Sequence, residues 1–278
     1  MKIVAQHFTV PADLKPYLDA CWYIQSDGPV TEVSSMQYCL ATGQVEIIIH
    51  ITPPFYHTGI MDGKEALFPE AFIGGIHVEP VMFQLQGGTG LFGISCKPET
   101  LIMLFNKPIG DLADNFAELH SYLGGTITEM VKQIQDAPSH EHRIQIAVNY
   151  FRKRVAEQKQ RDRYYFSEAM QYIRMATGLQ SVDEVCEKVF VGKRQLQRTF
   201  QENIGISPKT YVRIVRFKGA YDFVQHNPNT TWTEISHHFG YSDQSHFIRD
   251  FREFTGENPT AFISGFSPLY STPLAITN

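Results

Sequence analysis

The sequence predicts an α+β protein. An N-terminal β-rich, barrel-like domain with following helices precedes a C-terminal all-α domain with two helix-turn-helix units joined by a linker helix. Three observations lead there. Residues 1 to about 97 hold many short aromatic and β-branched runs separated by Gly, Pro and Asp clusters, the pattern of a small barrel or sandwich. Residues 98–158 change to helical spacing. Residues 181–262 contain one small fold written twice, and a repeat decides the architecture of the stretch that carries it.

The expected strands are Cys21–Ile24, Met36–Leu40, Val45–Ile51, Ala71–Ile73, Val81–Leu85 and Leu91–Ser95. Turn-forming clusters such as Ser26-Asp27-Gly28-Pro29 and Thr52-Pro53-Pro54 divide them. Trp22, Tyr23, Tyr38, Phe72 and Phe83 read as core, with pocket lining as the alternative, since small barrels enclose ligands in their mouths. His50, His57 and His77 with Glu79 match no ligand spacing, so no metal and no other cofactor is expected. Cys21, Cys39, Cys96 and Cys186 are too scattered for a zinc site and read as reduced, buried thiols.

Pro98 opens a helix that runs through Phe105, and a second helix is expected over Leu112–Leu119. Thr126 with Glu129 has capping-box spacing. Ile144, Ala147, Val148, Phe151 and Val155 mark a long amphipathic helix, whose stripe serves either dimerisation or packing on its own barrel. This first domain spans 1–158. Residues 159–163 lack apolar side chains and read as a linker. The second domain spans 164–268, and its first helix carries Tyr165, Phe166, Met170, Ile173 and Ala176 before Gly178 ends it.

The repeat then begins. Ser181 with Glu184, and Thr231 with Glu234, are two capping boxes, in which a hydroxyl takes a first-turn amide and a carboxylate reaches back to the cap. Val182, Val185 and Val189 form the apolar stripe of one copy, and Trp232, Ile235 and Phe239 that of the other. Turns follow at Phe190-Val191-Gly192 and Gly240-Tyr241-Ser242, with Ser242 read as the N-cap of the next helix. The second helices are about Lys193–Ile204 and Asp243–Thr255. They end at Gly205 and Gly256, where a left-handed C-terminus wants glycine. Ser207-Pro208 and Asn258-Pro259 restart helices with a cap and an N1 proline. Between the copies lies one helix of about 18 residues, roughly 27 Å long. A capped helix, tight turn and second helix is the layout that places the second helix in the DNA major groove. The outward residues there are Lys193, Arg194, Gln197, Arg198 and Gln201 in the first copy. In the second they are Ser242, Gln244, Ser245, His246, Arg249 and Arg252. Arginine and glutamine make paired hydrogen bonds to guanine and adenine edges. Lys209, Arg213, Arg216 and Lys218 on the connecting helix meet either phosphates or acidic neighbours, and Arg216 reads as an intradomain ion pair.

The stretch from about 164 to 265 resembles the C-terminal DNA-binding domain of the AraC/XylS transcriptional regulators. The residues that carry the likeness are Gly240-Tyr241-Ser242-Asp243-Gln244-Ser245-His246-Phe247, followed by Arg249, Phe251, Gly256 and Pro259. The resemblance implies seven helices and promoter binding, with double-stranded DNA as partner and an N-terminal part that senses an effector or dimerises. A small-molecule effector, a homodimer partner and RNA polymerase are the further partners considered. The sequence departs from the family pattern at four places. Phe190 stands where the first turn usually has glycine, and Gly192 where a hydroxyl cap is usual. Asp250 and Glu253 add acid to the second recognition helix.

Composition agrees with a placed rather than a global interface. The formal charge is −5, which excludes a broadly basic nucleic-acid binder. Residues 1–160 carry 11 basic and 17 acidic side chains, a balance of −6; residues 161–278 carry 13 and 12, a balance of +1. No run reaches the apolar length of a membrane helix, and the start lacks a signal peptide's apolar core, so a cytoplasmic protein is expected. No nucleophile–base pair, phosphate loop or carboxylate dyad stands at a usable spacing, so an enzyme is not expected. A regulator whose first domain binds only protein partners or itself is the remaining alternative to ligand sensing.

Overall fold

A computed structural model describes residues 1–34, 37–54, 56–58, 65–158 and 165–265. The linker over 159–163, the turn over 61–63 and the tail beyond 265 lie outside the described residues. The N-terminal strands are β1 (Ile3–Thr9), β2 (Leu18–Ser26), β3 (Gln37–Cys39), β4 (Val45–His50), β5 (Tyr56–Thr58), β6 (Glu65–Leu67), β7 (Ala71–Gly74), β8 (Val81–Phe83) and β9 (Gly90–Cys96). Helix α1 (Pro98–Phe105) and strand β10 (Phe116–Glu118) follow, then α2 (Leu119–Leu123), α3 (Thr128–Asp136) and α4 (His140–Glu157). Six strands form one antiparallel sheet in the order β1-β2-β9-β4-β7-β10, with β3-β8 and β5-β6 as two-stranded additions.

Two elements differ from the sequence reading, and β1, β5, β6 and α2 are additions to it. The run Ile3–Thr9 has no clean alternation, yet it pairs with β2 from Ile3↔Ser26 to Thr9↔Ala20. No helix covers 112–119. Asp114 has φ 53°, which no helix tolerates, and Phe116–Glu118 instead pairs with β7. Thr126 does not cap a helix either. It lies in a 3-10 turn over Gly125–Ile127, and α3 starts after Ile127 with no side-chain cap bond.

The sheet buries both faces. Val45, Ile47 and Ile49 of β4 join the main apolar core, while Ile48 packs on a second cluster of Trp22, Ile24, Leu85 and Leu91. Trp22 lies flat on β9 at Gly93, where a Cβ would fall 1.9 Å from the indole, so only glycine fits. On the same face Glu46 is buried, and its carboxylate accepts from the Trp22 indole N–H (2.9 Å) and the Ser95 hydroxyl (3.0 Å). Burial pushes this carboxyl up to about 7. An acid held above its unfolded value binds more protons when folded, so its contribution is complete below about pH 4.5 and is lost as pH rises through about 7. His7 and His50, lowered to about 4 by burial, act in the opposite sense. Comparing Glu46→Gln with the wild type isolates the carboxyl. The variant should gain about 3 kcal/mol relative to wild type between pH 4.5 and 8, read by urea unfolding at each pH. A constant difference across that range would refute the assignment.

The stripe of α4 is spent internally: Ile144, Ala147, Val148 and Phe151 are all buried in the main core. These side chains pack within their own domain, where Phe151 meets Phe105 of α1 edge-on. Cys21, Cys96 and Cys186 are free and buried. Among the described residues, no helix is long and apolar enough to cross a membrane.

The C-terminal helices are α5 (Tyr165–Met175), α6 (Val182–Lys188), α7 (Lys193–Ile204), α8 (Pro208–His226), α9 (Trp232–His238), α10 (Gln244–Thr255) and α11 (Pro259–Gly265). They are the seven that the resemblance implies. Their apolar faces continue the N-terminal core without interruption, from Val10 to Phe262. Glu99 of α1, Arg174 of α5 and Tyr211 of α8 form a hydrogen-bonded ionic knot across this seam.

Candidate nucleic-acid interface

Both capping boxes form. Ser181 accepts from the Glu184 amide and Thr231 from the Glu234 amide, with each carboxylate returning to its cap. Both first helices also end alike. The Phe190 N–H donates to the Glu187 carbonyl and the Val191 N–H to Cys186; the Gly240 and Tyr241 N–H groups donate to His237 and Ser236. This paired pattern requires a left-handed residue in the middle. Gly240 supplies it at φ 64°, and Phe190 supplies it at φ 55°. A side chain there costs about 1 kcal/mol or more, and the Phe190 ring is 94% exposed, so packing returns nothing. Phe190→Gly should therefore raise stability by about 1 kcal/mol, visible as a higher melting temperature. A lower one would show that the ring holds the turn by contacts made elsewhere.

The second helices are α7 and α10. Gly192 is the cap residue of α7, as expected, without a side-chain bond. At α10 the cap is Asp243 rather than Ser242: its carboxylate accepts from the His246 amide at 2.8 Å. The Ser242 hydroxyl instead meets the Asp243 carboxylate at 3.3 Å and the His246 ring at 3.2 Å. A carboxylate at a helix N-terminus gains more from the dipole than a hydroxyl does, and the amide hydrogen bond holds the Asp243 carboxyl below the usual range.

The core faces of both helices are buried through Leu196, Phe200, Phe247 and Phe251. The opposite face of α7 exposes Lys193, Arg194, Gln197, Arg198 and Gln201. Lys193 pairs with Asp183 at 2.6 Å and Arg198 with Glu202 at 3.6 Å, both exposed and easily exchanged for phosphate. Gln201 turns back to donate to the Gly205 carbonyl at 2.8 Å. On α10, Ser245, Arg249 and Arg252 are exposed, and Gln244 and His246 are half-buried. Gln244 accepts from the Thr233 hydroxyl at 2.8 Å, which fixes its amide.

The acids on α10, Asp250 and Glu253, are engaged from α8, although Asp250 also stands 4.0 Å from the His246 ring. Arg213 of α8 forks onto Asp250 (2.8 Å) and Glu253 (2.6 Å) and lies over the Phe254 ring. Its hydrogen bond holds the Glu253 carboxyl below its usual value. The sequence left Arg213 open between phosphate and acid; the 37-residue separation from Asp250 hid the answer. Among the described residues, Arg216 forms no ion pair. It donates to the Gly178 carbonyl at 2.8 Å and stacks on Tyr241. Lys218 pairs with Asp222 on the same helix.

A cavity of about 490 Å³ opens between the sheet and α8. His7, Asp19 and Lys97 line one side, and Arg174, Lys218 and Asp222 the other. The aromatic residues considered as pocket lining, Trp22, Tyr23, Phe72 and Phe83, are not in its walls; the Tyr38 side chain is outside the described atoms. Spacing along the chain carried no signal for this cavity, because its walls come from positions as distant as His7 and Asp222.

Residues 185–264 match the family described as a helix-turn-helix domain, and residues 6–118 match a domain of unknown function, DUF6597. A curated relative, the Msm operon regulatory protein of Streptococcus mutans serotype c, is 28% identical over 81 residues. That match covers 29% of this chain, and the chain spans 29% of the relative's length. Among solved structures, ToxT from Vibrio cholerae aligns over 94% of this chain and 97% of its own, with 11% identity and a TM-score of 0.44. The xylose-binding transcription activator xylR aligns over 43% of this chain and 37% of its own, with 19% identity and a TM-score of 0.31.

Proposed function

We propose that this chain, whose residues 185–264 are an AraC-type helix-turn-helix domain, is a sequence-specific DNA-binding transcriptional regulator rather than an enzyme. What carries the reading is a pair of capped helix-turn-helix units on one 19-residue rod, α8, each showing a polar, cation-bearing second helix to solvent. The rod is about 28 Å long, close to one DNA turn of about 34 Å. Each second helix enters a major groove. Arg194, Gln197, Arg198, Arg249 and His246 face base edges, while Lys193, Arg252, Gln201, Gln244, Ser242 and Ser245 hold the backbone in register. Residues 1–158 form a sensing or self-associating domain and 164–268 the DNA-binding domain, joined at 159–163. The cytoplasm is where such a protein meets its promoter, with RNA polymerase as a further partner there.

The cavity between the two parts is the place for a small effector. Its volume falls within the range of small-molecule sites, and an occupant would touch both the sensing sheet and the rod.

Selection of bound duplexes from a random pool should enrich two half-sites about one helical turn apart. Arg198→Ala or Arg249→Ala should cost about 1–3 kcal/mol on the selected site and relax preference at one base position. Full affinity and unchanged preference in both variants would remove the reading. Repeating the selection with metabolite extract tests the effector.

A further inference from the structure

The C-terminal end of α7 rests on the N-terminal region, and Pro80 approaches the end of α10. At α7, the Ile109 N–H donates to the Asn203 carbonyl at 2.8 Å, one of the acceptors a helix leaves open at its last turn. Gly110 and Gly205 meet backbone to backbone. A Cβ on Gly110 would lie 2.7 Å from the Glu202 carbonyl oxygen, and one on Gly205 2.3 Å from the Gly110 carbonyl oxygen. At α10, the Pro80 ring lies 3.5 Å from where a Cβ on Gly256 would stand.

The two loops that make these contacts, 75–80 and 109–114, are laced to each other. The Asp114 carboxylate accepts from the amides of Val78 (2.6 Å) and Glu79 (3.1 Å), and the Asp114 N–H donates to the Ile76 carbonyl at 3.0 Å. Asp114 is held at φ 53° to do so, a conformation kept only where surrounding bonds over-determine it. None of this covers the exposed faces of α7 and α10, so the contact does not block access to them.

We propose that this latched pair of loops is a brace for DNA reading. It caps α7, so the N-terminal region sets the attitude of that helix together with the rod. Ile109, Gly110 and Asp114 are then positioning residues for DNA binding; this rests on the DNA-binding reading above. The lever is long. A 12-residue α7 spans about 18 Å, so a tilt of about 5° at the braced end moves the groove-entering end by roughly 1.5 Å. Hydrogen bonds to base edges do not survive that displacement.

The test uses the full chain with Gly110→Ala, which wedges the contact, and Asp114→Ala, which cuts the lacing at a distance from α7. The probe is the duplex that the wild type selects from a random pool. Both variants should bind it at least tenfold more weakly. The slope of affinity against salt should not change, because no phosphate contact is removed. Without DNA, amide exchange should quicken in the last turn of α7, over 201–205, while α9 keeps its protection. Unchanged affinity, tighter binding, or an equal rise in exchange throughout α4, α7 and α9 would each overturn the proposal. If the wild type selects no sequence, the DNA-binding reading is what fails, and the exchange measurement still decides whether the brace holds α7.

Discussion

Arg213→Ala is expected to lower the unfolding free energy by about 3–5 kcal/mol, the usual consequence of leaving one member of a buried ion pair alone. Asp250 is 2% exposed and has Arg213 as its close cationic partner at 2.8 Å; His246 stands 4.0 Å away at the edge of solvent. Glu253 is half in water and loses little. Removing the guanidinium therefore strands a carboxylate between α8 and α10. Arg213→Lys should recover only part of the loss, because an ammonium is a single point of charge and cannot fork onto both acids. Urea unfolding reads the stability, and DNA affinity should fall with it, since the clamp fixes α10 on the rod. An Arg213→Ala protein as stable as the wild type would mean that Asp250 is satisfied without the fork.

Arg174→Ala should cost about 3 kcal/mol or more by the same route, at a different place. Glu99 is 4% exposed and meets the Arg174 guanidinium with both oxygens, while the Tyr211 hydroxyl accepts from Arg174 at 3.1 Å. The position of Glu99 in the first turn of α1 softens the loss, because the helix N-terminus favours a carboxylate. A double-mutant cycle with Glu99→Gln separates the pair from its surroundings: the double variant should be less damaged than the sum of the singles. Additive losses would show that the two residues act independently. The seam between sheet and helices should also open first in Arg174→Ala, seen as faster amide exchange in α1 and α5 than in α10.

Much of the C-terminal half was legible because its signals are local. Ser181 with Glu184, and Thr231 with Glu234, act within one helical turn, so their spacing alone announced two helix starts. Gly205, Gly240 and Gly256 mark left-handed positions that the backbone imposes whatever packs around them. Even the misplaced cap, Ser242 for Asp243, is an error of one residue between two good acceptors. The N-terminal half was less legible. β1 has a mixed run and is held as an edge strand by β2. The expected helix over 112–119 gave way because Asp114 is drawn out of helical geometry by amides 35 and 36 residues earlier.

The candidate DNA-contacting residues were named from helical periodicity; α7 exposes its five, and α10 exposes Ser245, Arg249 and Arg252 while Gln244 and His246 are half-buried. Their supports were not readable. Arg213 reaches across 37 residues, Arg174 across 75 and Ile109 across 94.

The sequence by itself determined, to within a residue or two, where the helices of the C-terminal half start and stop and which face turns to solvent, because capping, left-handed glycines and apolar periodicity are settled within a few residues. Only the tertiary structure decided what the acids on α10 pair with, which loop meets the end of α7, and where a cavity opens. Those depend on which distant groups meet, and contacts of that kind leave no periodic trace along the chain.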